Sequence, residues 1–142
     1  MEKKPTFNKT VFICSPFRPA AEDPEAKARE ARRNIALARI GCQIAKSAGC
    51  TPLAPHLFFP QFLDDETPEE RKIGIEMGLR WLEFCDELWV LGSRITDGMA
   101  QEIAHARRHS IPVKIIRQAE SPEERLLRAI FGGCYRKQGE EE

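Results

Sequence analysis

The chain has 142 residues, with 22 Lys and Arg set against 22 Asp and Glu, so its formal net charge is zero. That length suits a single domain of roughly 100–200 residues, and 42% hydrophobic residues are enough for a core without disulfide or metal staples. The charge balance argues against a sequence-independent nucleic-acid binder, which needs excess Lys and Arg to displace counterions, and against a polybasic membrane anchor. Any bound anion must be held by a few placed groups.

Five cysteines, Cys14, Cys42, Cys50, Cys85 and Cys134, form an odd set with no CxxC pair and no zinc-finger spacing, so they read as small hydrophobes in a reducing compartment. The opening MEKKPTFNK does not resemble a signal peptide, and no run reaches the 18 apolar residues of a membrane span. The expectation is a soluble, cytoplasmic protein.

Along the chain, four short β-type runs alternate with helical patterns. TVFICS (10–15) is the first strand. Residues 24–48 read as a long helix, with Asp23 as cap, Pro24 at its first position, and two apolar lines: Leu37, Ile40 and Ile44, and Ile35, Ala38, Cys42 and Ala45. Its first half, EAKAREARRN, reads as solvated charge. TPLAP (51–55) is the second strand, followed by the aromatic, acidic loop PHLFFPQFLDD (55–65). Thr67, Pro68 and Glu70 have capping-box spacing and start a helix that runs to about Phe84, with Ile73, Met77, Trp81 and Cys85 as its core stripe. Gly74 and Gly78 sit one turn apart inside it, an unfavourable choice that implies close approach by a packed helix, a subunit or a ligand. ELWVLG (87–92) is the third strand. Asp97 is expected to cap a helix running from about Gly98 to His109, and PVKIIR (112–117) is the fourth strand. A second capping box, Ser121-Pro122-Glu123-Glu124, starts a helix near 122.

Such alternation is the pattern of an α/β fold: one domain over 1–142, a doubly wound, flavodoxin- or Rossmann-like parallel sheet of four to five strands with helices on both faces. Residues 1–9 and 136–142 are expected to fray. Ligands of such sheets sit beyond the carboxyl ends of the strands, where the winding reverses. Residues 15–18, 55–65, 92–98 and 118–121 should converge there.

The residues in those loops suggest chemistry. In SPFR, Ser15, Pro16, Phe17 and Arg18 form either an ordinary turn or a cradle for a phosphate or carboxylate. There is no G-x-G-x-x-G or Walker sequence, so no dinucleotide or P-loop site is expected. Phe58, Phe59 and Phe62 can wall a planar base or serve as core and subunit contacts. His56, Asp64 and Asp65 lack metal-ligand spacing, so neither a metal nor a cofactor is expected. In GSRITDGMAQE, Glu102 lies one turn inside a helix whose free N–H groups favour anions. It is either an exposed helix glutamate or a carboxylate placed to act as a nucleophile.

VFICSPFR, the aromatic loop, CDELWVLGSRITDGMAQEIAHA and IPVKII together resemble the nucleoside 2-deoxyribosyltransferase-like superfamily, and most nearly a small group within it known only as a domain of unknown function. The resemblance spans roughly residues 10–117. It implies that Glu102 attacks the anomeric carbon of a deoxynucleoside or nucleotide, that Ser15 and Arg18 hold a 5′-phosphate, and that Thr96 contacts the sugar or phosphate end. It also implies dimers or larger assemblies. One position departs: the aspartate that helps to protonate the leaving base in such enzymes lies eight residues before Asp86, where this chain has Gly78. Asp97 or Asp64 is then the expected acid. The remaining substrate-binding candidates are His56, Asp65, Ser93, Gly98 and Met99. The expected activity is cleavage or transfer at the N-glycosidic bond of a nucleoside or nucleoside 5′-monophosphate. The alternative is a nucleotide-binding or sensing domain without catalysis.

Overall fold

Each β-type run becomes a strand of one parallel sheet in the computed structural model, which describes residues 6–117 together with Ile130. The elements are β1 (Thr10–Cys14), α1 (Pro24–Ser47), β2 (Thr51–Leu53), a single turn α2 (Pro55–Phe58) continuing into a 3-10 turn (Phe59–Gln61), α3 (Pro68–Leu82), β3 (Glu87–Val90), α4 (Asp97–Arg108) and β4 (Val113–Ile115). The strand order is β2-β1-β3-β4, all parallel. The winding therefore reverses between β1 and β3. The expected helix near 122, the loop at 118–121, Cys134 and the C-terminal tail lie outside the described residues.

Alternation along the central strands sends side chains into two cores. Phe12, Cys14, Leu88 and Val90 pack with Leu82 of α3 and with Met99 and Ala106 of α4. Val11, Ile13, Trp89 and Leu91 pack on the other face with Ala45, Leu37 and Ile44 of α1. Phe12, Leu82, Leu88 and Leu91 are fully buried, each contributing roughly 1.5–3 kcal/mol. Helices thus cover both faces, as parallel strands buried on both sides require. No helix among the described residues is long and apolar enough to cross a membrane.

Local sequence explains the helix ends, with two corrections. Asp23 Oδ2 accepts from Ala26 N at 3.0 Å and Pro24 opens α1 as expected. The Thr67/Glu70 capping box does not form. Thr67 makes no side-chain cap bond, while Glu70 Oε2 accepts from Asp64 N at 2.8 Å, because the loop folds back over the helix start. Asp97 is not the cap of α4. Thr96 takes that role, its Oγ1 accepting from Met99 N at 3.2 Å, and Asp97 becomes the first helical residue. Two apolar assignments also shift: Ile40 and Ile73 are exposed, while α1 buries Asn34, Ala38, Gly41 and Ala45 and α3 buries Gly78 and Leu82. Residues 6–9, expected to fray, are tied down: Phe7 O accepts from Thr51 Oγ1 and Lys9 O accepts from Thr51 N at 2.8 Å.

Gly41 sets how closely α1 approaches the sheet. A Cβ there would lie 2.9 Å from Ile13 Cγ2 and 3.1 Å from Leu91 Cδ1. Alanine would gain up to about 1 kcal/mol of helix propensity, but overpacking two rigid core side chains typically costs about 1–3 kcal/mol. Gly41→Ala is therefore expected to lower stability by about 1 kcal/mol in urea unfolding. A more stable variant would mean that α1 rides freely on the sheet.

Candidate functional site

At the carboxyl edge of the sheet, β1 runs into Ser15–Arg18 and β3 into Gly92. Gly92 has φ +106°, and a Cβ there would lie 3.1 Å from Pro16 Cδ, so the two loops close on each other only because this residue is glycine. Pro16 is buried in that contact. Asn34 Nδ2 donates to Phe17 O at 3.1 Å, and Glu30 accepts from Ala20 N and Ala21 N, both at 3.0 Å. Arg94 Nη2 reaches Glu30 Oε1 at 2.8 Å and Arg18 O at 3.4 Å, joining the first and third loops. Glu30 and Asn34 belong to the stretch read as solvated charge. The solvated reading, made for most of that stretch, does not extend to these two, because the loop folding back over α1 uses them as partners for its backbone groups.

Beside these loops lies an open cleft, about 600 Å³ when its solvent-filled mouth is counted. Glu102 of α4 lies on its lining, with Gly98 on the same helix, Phe17 and His56 on one side, and Phe59, Leu63 and Asp65 of the second loop. Gly74, Ile75 and Gly78 of α3 line it from across α4, together with Glu70 and Arg71. Arg18, Asp65 and Arg71 continue into an adjoining groove with Lys72 and Gln101.

Glu102 is only 8% exposed, and burial pushes its carboxyl up to about 8. Its Oε1 lies 4.0 Å from Cys14 Sγ. Burial, and secondly the Glu102 carboxylate, raise the Cys14 thiol far above its usual range, so Cys14 stays a neutral S–H that also donates to Met99 O at 3.9 Å. His56 Nε2 donates to Ser15 O at 2.9 Å. Burial lowers this imidazole to about 4, with the Ser15 bond opposing, so the ring is neutral and stacks on Phe17 with centroids 4.8 Å apart. The carboxyl of Asp65 is raised by burial, an effect that Arg18 partly offsets and that the neighbouring Glu66 and Asp64 reinforce.

Of the candidate residues, Phe17, His56, Asp65, Gly98 and Glu102 line the cleft and Arg18 lines the groove. The others have different work. Asp64 accepts from Glu66 N at 3.0 Å and Thr67 Oγ1 at 3.1 Å, forming the turn before α3 instead of reaching the cleft. Asp97 and Ser93 are exposed and lie outside the cleft lining. Thr96 is committed to its cap, and Met99 is a core residue. Ser15 is buried with Oγ unpartnered, beneath the loop that its carbonyl helps to hold. Phe58 and Phe62 are about half exposed and cluster with Trp81, so of the three loop phenylalanines Phe59 alone walls the cleft. Arg71 and Glu70 were not foreseen, because an exposed-looking charge on a helix reveals its role only once the loop packs over it.

Residues 9–116 match a protein family described as Domain of unknown function (DUF7768). The chain belongs to that family. Among curated proteins none matches its sequence. Its fold is similar to that of the 2-deoxyribosyltransferase from the psychrotolerant bacterium Bacillus psychrosaccharolyticus, with a TM-score of 0.56 over 79% of this chain and 77% of that one, at 15% identity. At that identity the likeness is one of fold. In this DUF7768 chain, position 78, where the resemblance leads one to expect an acid, faces the same cleft as Glu102 and carries no side chain.

Two expectations follow. A Cβ on Gly78 would meet nothing nearer than 3.9 Å, and one on Gly74 nothing nearer than 3.5 Å, so packing does not demand glycine at either. Gly78→Ala is expected to gain up to about 1 kcal/mol in urea unfolding while narrowing the cleft; a loss of stability would show that packing holds the position. Glu102 ionises near its ordinary 4.5 when unfolded and near 8 when folded, so its contribution to stability is complete below about 4.5 and is lost as pH rises through about 8. Glu102→Gln should remove that loss, making the variant more stable than the parent by about 2–4 kcal/mol at pH 9 and nearly equal to it at pH 4. Parallel unfolding curves at the two pH values check this.

Proposed function

We propose that this cleft binds a nucleoside or nucleoside 5′-monophosphate and that the chain cleaves, or transfers at, its N-glycosidic bond, with Glu102 as the nucleophile. The observation that carries the proposal is a buried carboxylate facing an open, glycine-lined cleft at the point where the sheet's winding reverses. The fold likeness to a 2-deoxyribosyltransferase supports the same chemistry. In this reading the base lies against Phe59 and the Phe17–His56 stack, the sugar lies over Gly74 and Gly78, and a 5′-phosphate reaches Arg18 and Arg71 in the groove. Exposed Phe58, Phe62 and Ile73 supply an apolar surface for the self-association that forms part of the proposal.

Glu102 attacks the anomeric carbon as the C–N bond breaks, giving a glycosyl ester that water or a second base resolves with retention. Departure of the base requires a proton. With Gly78 bare, Asp64 committed to its turn and Asp97 exposed outside the cleft lining, Asp65 is the acid, its burial holding the proton to higher pH. Glu102 must be ionised and Asp65 protonated, although Glu102 is the weaker acid. The productive combination is therefore a minor but constant fraction between the two ionisations and declines on either side.

A second reading, nucleotide binding without chemistry, is favoured by the missing carboxyl at position 78. Incubation with a panel of deoxynucleosides and their 5′-monophosphates, read by chromatography of free base, separates the two. Base release is expected from the parent, with a loss of at least about 100-fold in Glu102→Ala and a rate that falls above pH of about 8. Equal release from parent and variant would remove Glu102 from the mechanism. Calorimetric binding without release would leave the sensor reading.

A further inference from the structure

We propose that Glu83, His105 and His109 form a binding site for a divalent late transition metal of the zinc type, bridging the C-terminal ends of α3 and α4 and separate from the cleft. His105 and His109 are four residues apart and so share one face of α4, with ring centroids 4.4 Å apart. Glu83, the residue that caps α3, meets them: its Oε1 lies 3.1 Å from His105 Nε2 and 3.7 Å from His109 Nε2. The three potential ligand atoms all lie within 4.8 Å of one another. Zinc bound tetrahedrally at about 2.0–2.1 Å needs ligand atoms about 3.3–3.4 Å apart. The two carboxylate–imidazole separations bracket that value, and the two imidazole nitrogens, which lie within 4.8 Å of each other, reach it by rotation of the half-exposed His109 ring.

The surroundings favour a cation. Arg80 Nη1 donates to Glu83 Oε2 at 2.8 Å, orienting the carboxylate so that Oε1 faces the histidines, as outer-sphere partners of metal ligands do. His109 caps α4, and its half-exposed ring sits at the negative end of the helix dipole. Solvent can supply the fourth ligand there. Two guanidiniums oppose a cation at the site: Arg80, paired with Glu83, and Arg108, whose Nη2 lies 3.5 Å from His105 Nδ1. With Nε2 on the metal, Nδ1 carries the proton, and the exposed Arg108 side chain turns away into solvent. Two imidazoles and one carboxylate match the borderline donor set of zinc, not the all-oxygen set of magnesium. The sequence-based expectation of no metal weighed His56, Asp64 and Asp65. This cluster exists only because α3 packs on α4, and a metal there would clamp the helix bearing Gly74 and Gly78 to the one bearing Glu102.

The test uses the tag-free, chelator-stripped full chain, with Zn²⁺ titrated calorimetrically at neutral pH, thermal unfolding measured with Zn²⁺ and with Mg²⁺, and Co²⁺ absorption recorded. Expected are one Zn²⁺ per chain, a midpoint of unfolding that rises with Zn²⁺ but not with Mg²⁺, and a Co²⁺ spectrum without thiolate charge transfer. His109→Asn, an exposed change that spares the fold, should weaken Zn²⁺ binding at least about tenfold, as should Glu83→Gln. Equal affinity in parent and variants, a thiolate band from the cysteines, equal stabilisation by Mg²⁺, or no binding by the parent at millimolar Zn²⁺ would each overturn the site.

Discussion

The parallel pairing of β1 with β3 is the constraint on which the cleft depends. Val11 to Cys14 lie opposite Glu87 to Val90 in unbroken register, every one of those residues is buried, and the chain winds outward in opposite directions from this pair. Because of that reversal, the loops after β1 and β3 leave the sheet side by side with no helix between them. Pro16 then meets Gly92, Arg94 reaches across to Glu30, and Cys14 ends β1 beneath Glu102. A slip of one residue would exchange Phe12 and Cys14 with Val11 and Ile13 between the two cores. It would also carry Ser15 and the whole first loop out of position.

Two buried glutamates at opposite ends of this unit show how surroundings separate a stabilised charge from a destabilised one. Burial pushes the Glu87 carboxyl up, but hydrogen bonds from Lys114, Lys9 and Trp89 outweigh it and hold the group below its usual range. Glu102 lies deeper in the protein with a thiol beside it and no charged partner among the described residues, and burial dominates. Glu87 thus carries a stable charge that joins β3 to Lys114 of β4 and to the segment before β1. Glu102 is held in a state that destabilises its anion, the kind of perturbation that clusters at functional sites.

Sequence patterns located the strands and most helix starts, because a run such as TVFICS or ELWVLG has one sensible conformation when buried on both sides. Glu102 and the loops around it were legible for the same reason: the topology dictates which strand ends meet. The failures share a cause. Asp64 and Asp65 are neighbours of the same type, and which of them turns inward depends on the Thr67 and Glu70 contacts that shape the turn. Thr96 and Asp97 are both good caps, and backbone geometry chose the first. Glu30, Asn34 and the Glu83–His105–His109 cluster gain their partners from other elements, across sequence separations that no local pattern encodes.

The balanced net charge persists at the scale of the groove, where Arg18, Arg71 and Lys72 face Asp65, Glu66 and Glu76. An anion entering here meets no broad positive field; it must find the individual guanidiniums. Next to them, the protonation of Glu102 sets the sign of the cleft floor. Below about pH 8 this carboxyl is mostly neutral, so an anion entering the cleft meets no full negative charge from it. Above that pH the floor becomes anionic and repels the same ligand, at an energy of about 4 kcal/mol for unit charges 4 Å apart in a surface-like environment and less at greater separation. Under the proposed mechanism, the burial that makes Glu102 a reluctant anion therefore favours an anionic ligand at neutral pH and sets activation of the nucleophile against ligand affinity along the pH axis.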